Sequence, residues 1–329
     1  MSSAQEDMES TETPRPADAT AGVTDATAGV TDVPAEVTED PAEALDPSPI
    51  ADPSPRTVGR AIADRLMAGG ARYAFTVPGE SFLGLLDGLV EAGIEVVATR
   101  HEGGAAFMAT AATQLTGRPQ LCLATRAVGA ANLAIGIHAA RADSVPMIAL
   151  VGQVPRRFRG RDAFQEADLV GSVGRLAKWA VEVDEPRRVE AALTEALQRA
   201  QSGRPGPVLI SLPEDLLDLR ASGGAGSTSP GQEASGGHGG GSVAGSPRPP
   251  IPDSDVIRSV LRLMAASRRG VILAGAGVIR ANASRRVMRL AEALGVPVIA
   301  GWRRPDVVPH GHPLYLGMAG YSSAPTVKA

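Results

Sequence analysis

Leu121-Cys-Leu-Ala-Thr-Arg-Ala-Val-Gly-Ala-Ala-Asn-Leu-Ala-Ile-Gly-Ile-His-Ala-Ala-Arg141 decides the fold. The stretch opens with four apolar residues, short enough for a strand covered on both faces. The turn Thr125-Arg126 follows, and small residues lead into a helical pattern over 129–141. Strand, tight turn and helix in that order make the repeating unit of a parallel sheet. The unit recurs to either side. Apolar runs lie at 73–77, 94–98, 147–151, 179–183 and 208–212. Helical patterns lie near 81–92, 103–116 and 186–201. Another opens at Thr57, a capping residue, with Val58, Ile62 and Leu66 at helical spacing. The expectation over 56–220 is an α/β domain, a doubly wound parallel sheet with helices on both faces. Ligands of such sheets sit beyond the carboxyl ends of the strands.

The flanks are different. Residues 1–55 carry thirteen acidic side chains against Arg15 alone, a balance of −12. The whole chain of 329 residues is −4, so the remainder is +8. The tail repeats Asp-Ala-Thr-Ala-Gly-Val-Thr at 18–24 and 25–31 and has no aromatic residue. It holds too little apolar surface to offset its ordering entropy, and is expected to be a solvated, disordered tail. Residues 221–250 are Gly/Ser-rich and end in Pro-Arg-Pro-Pro, the composition of a flexible linker with a stiffer end. His238 lies inside it between glycines and is expected to be solvated. Residues 251–329 give a helix near 253–266, a strand, a helix near 282–294, a second strand and a Gly/Pro-rich end. That is an incomplete domain with a two-stranded half-sheet.

Composition excludes several function classes. One cysteine, Cys122, rules out a disulfide framework and a cysteine-cluster metal site, and its apolar neighbours predict a buried, inert thiol. No run reaches the roughly 18 apolar residues needed to span a bilayer. The acidic N-terminus lacks a basic region followed by an apolar one, so no secretory signal is expected and a cytoplasmic protein is. Basic residues are not interleaved with aromatics as nucleic-acid binding requires.

Three strand-to-helix junctions stand out: Val77-Pro78-Gly79-Glu80-Ser81, Thr99-Arg100-His101-Glu102-Gly103-Gly104 and Thr125 to Asn132. Each helix N-terminus offers unpaired N–H groups, and small residues admit a ligand close to the backbone. On charge alone Glu102 has two readings: it complements a helix N-terminus, or it presents a carboxylate to a ligand. His101 can orient a carboxylate, help move a proton or serve the structure. Asn132 can satisfy local backbone or meet a ligand. Arg156, Arg157, Arg159 and Arg161 form a basic cluster that either attracts an anion or is a solvated loop.

At these residues the sequence resembles the N-terminal, pyrimidine-binding domain of thiamine diphosphate-dependent enzymes, in the acetolactate synthase branch. The resemblance rests on Tyr-Ala-Phe-Thr-Val-Pro-Gly at 73–79 and Arg-His-Glu-Gly-Gly-Ala-Ala-Phe-Met-Ala at 100–109. It continues in Gly-Ala-Ala-Asn-Leu-Ala-Ile-Gly-Ile at 129–137, Asp-Ser-Val-Pro-Met-Ile-Ala-Leu-Val-Gly-Gln-Val at 143–154 and Asp-Ala-Phe-Gln-Glu-Ala-Asp at 162–168. The segments at 270–279 and 295–301 resemble the opening of that family's central domain. The resemblance implies that Glu102 hydrogen-bonds the aminopyrimidine of thiamine diphosphate. It implies that Pro78, Gly79, Gly129 and Asn132 line the cofactor, and that Gln165 reaches the substrate. A glutamine can donate to a keto-acid carbonyl or accept from a hydroxyl. His101 and Phe164 are supporting candidates, Phe164 by packing.

The chain departs from the family pattern in three places. Arg126-Ala127-Val128 stands where the family has Ser-Gly-Pro, and Pro78-Gly79-Glu80 where acetolactate synthases have Pro-Gly-Gly. The Gly-Asp-Gly…Asn motif that binds Mg²⁺ and the diphosphate does not occur. No metal ligand is therefore expected here, and Mg²⁺ is expected on a domain outside this chain. The Ala-Gly-Ala-Gly motif at 274–277 does not by itself support a flavin, because tight strand-to-helix packing needs the same glycines. The expected partners are a 2-keto acid and a second subunit, either another copy or a separate diphosphate-binding chain. Three classes remain open at this point: a component of a split enzyme, a truncated synthase inactive alone, and a non-catalytic binding or regulatory module.

Overall fold

In the computed structural model, which describes residues 56–221 and 251–320 together with Ser323 and Val327, the apolar runs form two parallel sheets. The readings of the acidic tail and of the Gly/Ser-rich linker lie outside the described residues.

The first sheet is laid down in the expected order. Helix α1 (Val58–Ala68) leads to β1 (Tyr73–Thr76), α2 (Leu83–Glu91), β2 (Glu95–Ala98), α3 (Glu102–Thr116) and β3 (Gln120–Thr125). Then come α4 (Arg126–Ala142), β4 (Met147–Gln153), β5 (Trp179–Glu182), α5 (Val189–Gln201), β6 (Val208–Pro213) and the short α6 (Glu214–Leu217). Thr57 caps α1, its side chain accepting from Arg60 N at 3.2 Å. Six strands lie in the order β2-β1-β3-β4-β6-β5 and every pair is parallel. Strand periodicity divides the side chains between two cores. Leu121, Leu123, Ile148, Leu150, Val208 and Ile210 face the core under α1, α2 and α5. Cys122, Ala124, Met147, Ala149, Val151 and Leu209 face the other, under α3 and α4. A strand buried on both faces must read as a continuous apolar run, and these do.

Glycines set two helix contacts. A Cβ on Gly59 would lie 2.3 Å from the Gly84 carbonyl oxygen, so α1 and α2 meet backbone to backbone. A Cβ on Gly136 of α4 would lie 2.3 Å from the Ala106 Cβ of α3. Cys122 is fully buried, and desolvation pushes its thiol up to about 12. The native protein is therefore expected to leave Cys122 unmodified by an aromatic disulfide reagent until denaturant is added, which thiol titration checks.

The second sheet follows α7 (Ser254–Ala266): β7 (Ile272–Ala274), α8 (Ala276–Arg280), α9 (Ser284–Leu294), β8 (Val298–Ala300) and β9 (Tyr315–Met318). The expectation of two strands is corrected here, since the sheet has three, in the order β7-β8-β9. The Gly/Pro-rich end concealed β9. Its register against β8 shifts between Val298 and Ile299, where Gly317 takes φ +119°, and an irregular four-residue strand carries no clean alternation. Leu314, Tyr315 and Met318 nevertheless pack on the core of Met288, Ala291, Val298 and Ala300.

Among the described residues no helix is long and apolar enough to cross a membrane.

Candidate active site

The chain winds to one side from β1 to β2 and to the other from β3 onward. The carboxyl ends of β1 and β3 therefore flank a topological switch point, where such sheets bind ligands. The turn after β1 reaches Gly79, and a Cβ there would lie 1.7 Å from Thr125 Oγ1 at the end of β3. Only glycine lets these two turns close together.

The next junction brings the predicted acid into place. His101 precedes α3 and accepts from Gly103 N through Nδ1 at 3.0 Å, so its side chain caps the helix. Glu102, half-buried, opens α3, and its Oε2 accepts from Asn132 Nδ2 of α4 at 2.9 Å. A Cβ on Gly129 would come within 3.3 Å of Glu102 Oε1 and 3.0 Å of Ala124 Cβ. The carboxylate is thus held on one oxygen by Asn132, and small residues leave space beside the other. Glu102, Gly129, Asn132 and His101 come together in this way at the paired ends of α3 and α4. Pro78 and Gly79 lie on the neighbouring turn. A Cβ at Gly129 would crowd the free oxygen, and a single oriented carboxylate is the group an aminopyrimidine nitrogen requires. The residues present fit thiamine diphosphate on that ground.

Gln165 lies on the loop after β4. Its backbone takes φ +62°, and its carbonyl accepts from Ala127 N in the first turn of α4 at 3.2 Å. This latch brings the loop to the same end of the sheet as Glu102. Phe164 beside it is 73% exposed, so the expected packing role is not met by the described residues. Glu166 organises the loop. It accepts from Gly160 N at 2.6 Å, Ala163 N at 3.1 Å and Arg159 Nη1 at 2.9 Å. The two backbone donors, with Arg159 behind them, hold its carboxyl below the ordinary 4.5. A depressed carboxylate contributes its stabilisation above its unfolded pKa and loses it as pH falls through the lower folded value. Acidification below 4.5 is therefore expected to lower amide protection across 159–166 relative to the intrinsic exchange rate, and Glu166→Gln is expected to remove that pH dependence.

The basic cluster divides. Arg156 is committed to Asp215, with both N and Nε at 2.9 Å, and Arg159 to Glu182 and Glu166. Arg157 makes no ion pair with a described residue and lies over Phe158, 4.6 Å from the ring centroid.

Arg126 carries information the sequence reading did not extract. It opens α4 at φ +44°, three residues before the expected start of the helix. It is only 9% exposed, and its guanidinium meets Glu214 at 2.9 Å and Glu80 at 3.3 Å. Its Nε is buried without a partner. Glu80 and Arg126, both departures from the family pattern, are thus partners of one ion pair. Glu214 was missed, although it stands immediately after an apolar strand, at a junction of the kind that marked the other candidates. No group of three or more His, Cys, Asp or Glu side chains among the described residues is arranged to hold a metal.

Fold and strand-end geometry together define a doubly wound α/β domain with one oriented glutamate beside two switch-point turns. Residues 56–172 match the family model for the thiamine pyrophosphate enzyme N-terminal TPP binding domain, and 257–329 match that for the central domain of the same enzymes. A probable acetolactate synthase large subunit of Methanocaldococcus jannaschii is 37% identical over 271 residues, covering 79% of this chain and 42% of its own. The acetolactate synthase large subunit of Corynebacterium glutamicum is 35% identical over 272 residues, 82% of this chain and 41% of its own. The isozyme 1 large subunit of Escherichia coli K12 is 34% identical over 256 residues, 76% and 42% respectively. The chain belongs to the thiamine diphosphate-dependent, acetolactate synthase-like family. It spans about two fifths of the length of these relatives.

Proposed function

We propose that this chain is the pyrimidine-side, thiamine diphosphate-binding component of an acetolactate synthase-like enzyme that decarboxylates a 2-keto acid and joins the acyl unit to a second one. The observation that carries the reading is Glu102 Oε2, fixed 2.9 Å from Asn132, with Gly129 opening space beside Oε1. When bound, thiamine diphosphate supplies the carbon nucleophile and the electron sink. Glu102 holds a carboxylate at the aminopyrimidine and favours the protonation state in which the exocyclic nitrogen acts as a base. Pro78, Gly79 and Gly129 shape the cradle, Asn132 orients the acid, and His101 fixes the start of α3. Gln165 meets the carbonyl or hydroxyl of the reacting acid, and Phe164 walls that side.

The diphosphate and its Mg²⁺ belong, on this reading, to polypeptide outside these 329 residues, in a second copy or a separate subunit. The absence of a Gly-Asp-Gly…Asn motif from the sequence supports this. The domain limits are proposed as 56–220 and 251–329, the compartment as the cytoplasm, and the pathway as branched-chain amino acid biosynthesis. The test mixes the chain with the diphosphate-binding half of an acetolactate synthase large subunit, thiamine diphosphate, Mg²⁺ and pyruvate. Cofactor retention and carbon dioxide release are expected only from the mixture. Carboligation by the chain alone would refute the incomplete site, and a mixture that retains no cofactor would refute the component role.

A further inference from the structure

A cavity of about 310 Å³ lies at the amino end of the first sheet. His138, Arg141 and Ala142 line it from the end of α4, Arg175 and Leu176 from the turn before β5, and Arg204 from the loop before β6. Helix α4 has 17 residues, so its two ends stand about 25 Å apart and the cavity is remote from the Glu102 cradle. The lining brings three guanidiniums and an imidazole together and holds no carboxylate. Elsewhere Arg60, Arg156, Arg159 and Arg199 each meet an acid at 2.7–2.9 Å. Arg141, Arg175 and Arg204 meet none among the described residues, and the neighbouring acid, Asp143, is taken by Arg303. Neutral acceptors hold two of the three in place. Arg141 Nη1 donates to the Ala177 carbonyl, and Arg204 donates to Ser144 Oγ at 2.8 Å and the Ala142 carbonyl at 3.1 Å. Such contacts fix the direction of a guanidinium without cancelling its charge. Arg204 also covers carbonyls at the end of α4, whose partial negative charge would otherwise repel an anion. Helix capping gives Arg175 and His138 no task, since neither side chain bonds a described residue. Like charges gathered in this way repel one another, and an anion seated among them removes that repulsion.

We propose that this cavity binds the phosphate end of a small molecule, a diphosphate in preference to a monophosphate, with Arg141, Arg175, Arg204 and His138 taking its oxygens. The planar guanidinium fork matches two phosphate oxygens at a time, and three forks exceed what one phosphoryl group can engage. At about 310 Å³ the cavity stands at the lower bound of small-molecule sites, so the phosphates enter and the rest of the ligand stays outside. The site is separate from the proposed cofactor cradle and does not rest on that reading.

The test titrates the 329-residue chain, free of thiamine diphosphate, with sodium pyrophosphate in a calorimeter at fixed ionic strength. Saturable binding is expected, about tenfold tighter than that of inorganic phosphate, the equivalent of one charge-assisted hydrogen bond. ADP distinguishes the source of the phosphates: affinity above that of pyrophosphate assigns a nucleotide, and equal affinity assigns the phosphates alone. Arg175→Gln alters an exposed side chain without a partner among the described residues, so native melting is expected to persist while pyrophosphate affinity falls about tenfold. Arg175→Glu puts a carboxylate in the lining and is expected to weaken binding further. Arg157→Gln, which removes a cation at the other end of the sheet, is expected to change nothing. No saturable binding, sulfate binding as tightly as pyrophosphate, or affinity untouched in both Arg175 variants would overturn the proposal.

Discussion

Glu102→Gln is expected to lower cofactor-dependent turnover of the complemented enzyme by about 10²–10⁴-fold, the range of a positioned acid–base group. The substitution keeps the oxygen that accepts from Asn132 Nδ2 at 2.9 Å and removes only the charge. The ends of α3 and α4 should therefore stay where they are, with melting temperature unchanged within a degree or two. Retention of thiamine diphosphate with loss of turnover would locate the effect in activation. Glu102→Ala is the harsher companion, because it also leaves Asn132 without its acceptor. If Glu102→Gln turns over at the wild-type rate with supplied cofactor, Glu102 is no more than a helix-end carboxylate.

Gly136→Val is expected to destabilise the domain by about 1–3 kcal/mol, the usual cost of forcing extra carbon into a packed contact. At about 2–4 °C per kcal/mol for a domain of this size, calorimetry should record a clear fall in melting temperature. Even one Cβ at Gly136 would lie 2.3 Å from Ala106 Cβ and 3.3 Å from its backbone, so no rotamer relieves the clash and α3 must move off α4. The spacing of these helices also sets the Glu102–Asn132 contact, so cofactor retention should fall with stability. Gly136→Ala is the milder form, and Ala106→Gly in the same chain is expected to restore most of what it loses. Failure of that rescue would mean that the cost arises elsewhere on α4.

Local patterns made most of the fold legible. The run Leu121–Ala124 is apolar at every position because both sheet faces are covered, and β4 and β6 read the same way for the same reason. Thr57 announced α1 because an N-cap is satisfied within one helical turn. The Glu102 cradle was legible too, since its parts lie at strand-to-helix junctions where glycines and a lone acid are conspicuous. β9 was not, because the register shift that leaves Leu316 unpaired before Gly317 breaks the period on which a strand reading depends.

The sequence by itself determined the alternation of strand and helix and the family, and it placed the candidate site residues at one end of the sheet. These follow from residues close together in the chain, whose spacing already fixes which face or turn they occupy. Only the tertiary structure decided which charges meet. Arg126 pairs with Glu80 and Glu214, which the chain delivers from the ends of two other strands. Arg156 and Arg159 are consumed by distant acids, while Arg157 lies over Phe158. Charge acts through space at a few ångströms, and which residues lie that close depends on the order of strands in the sheet.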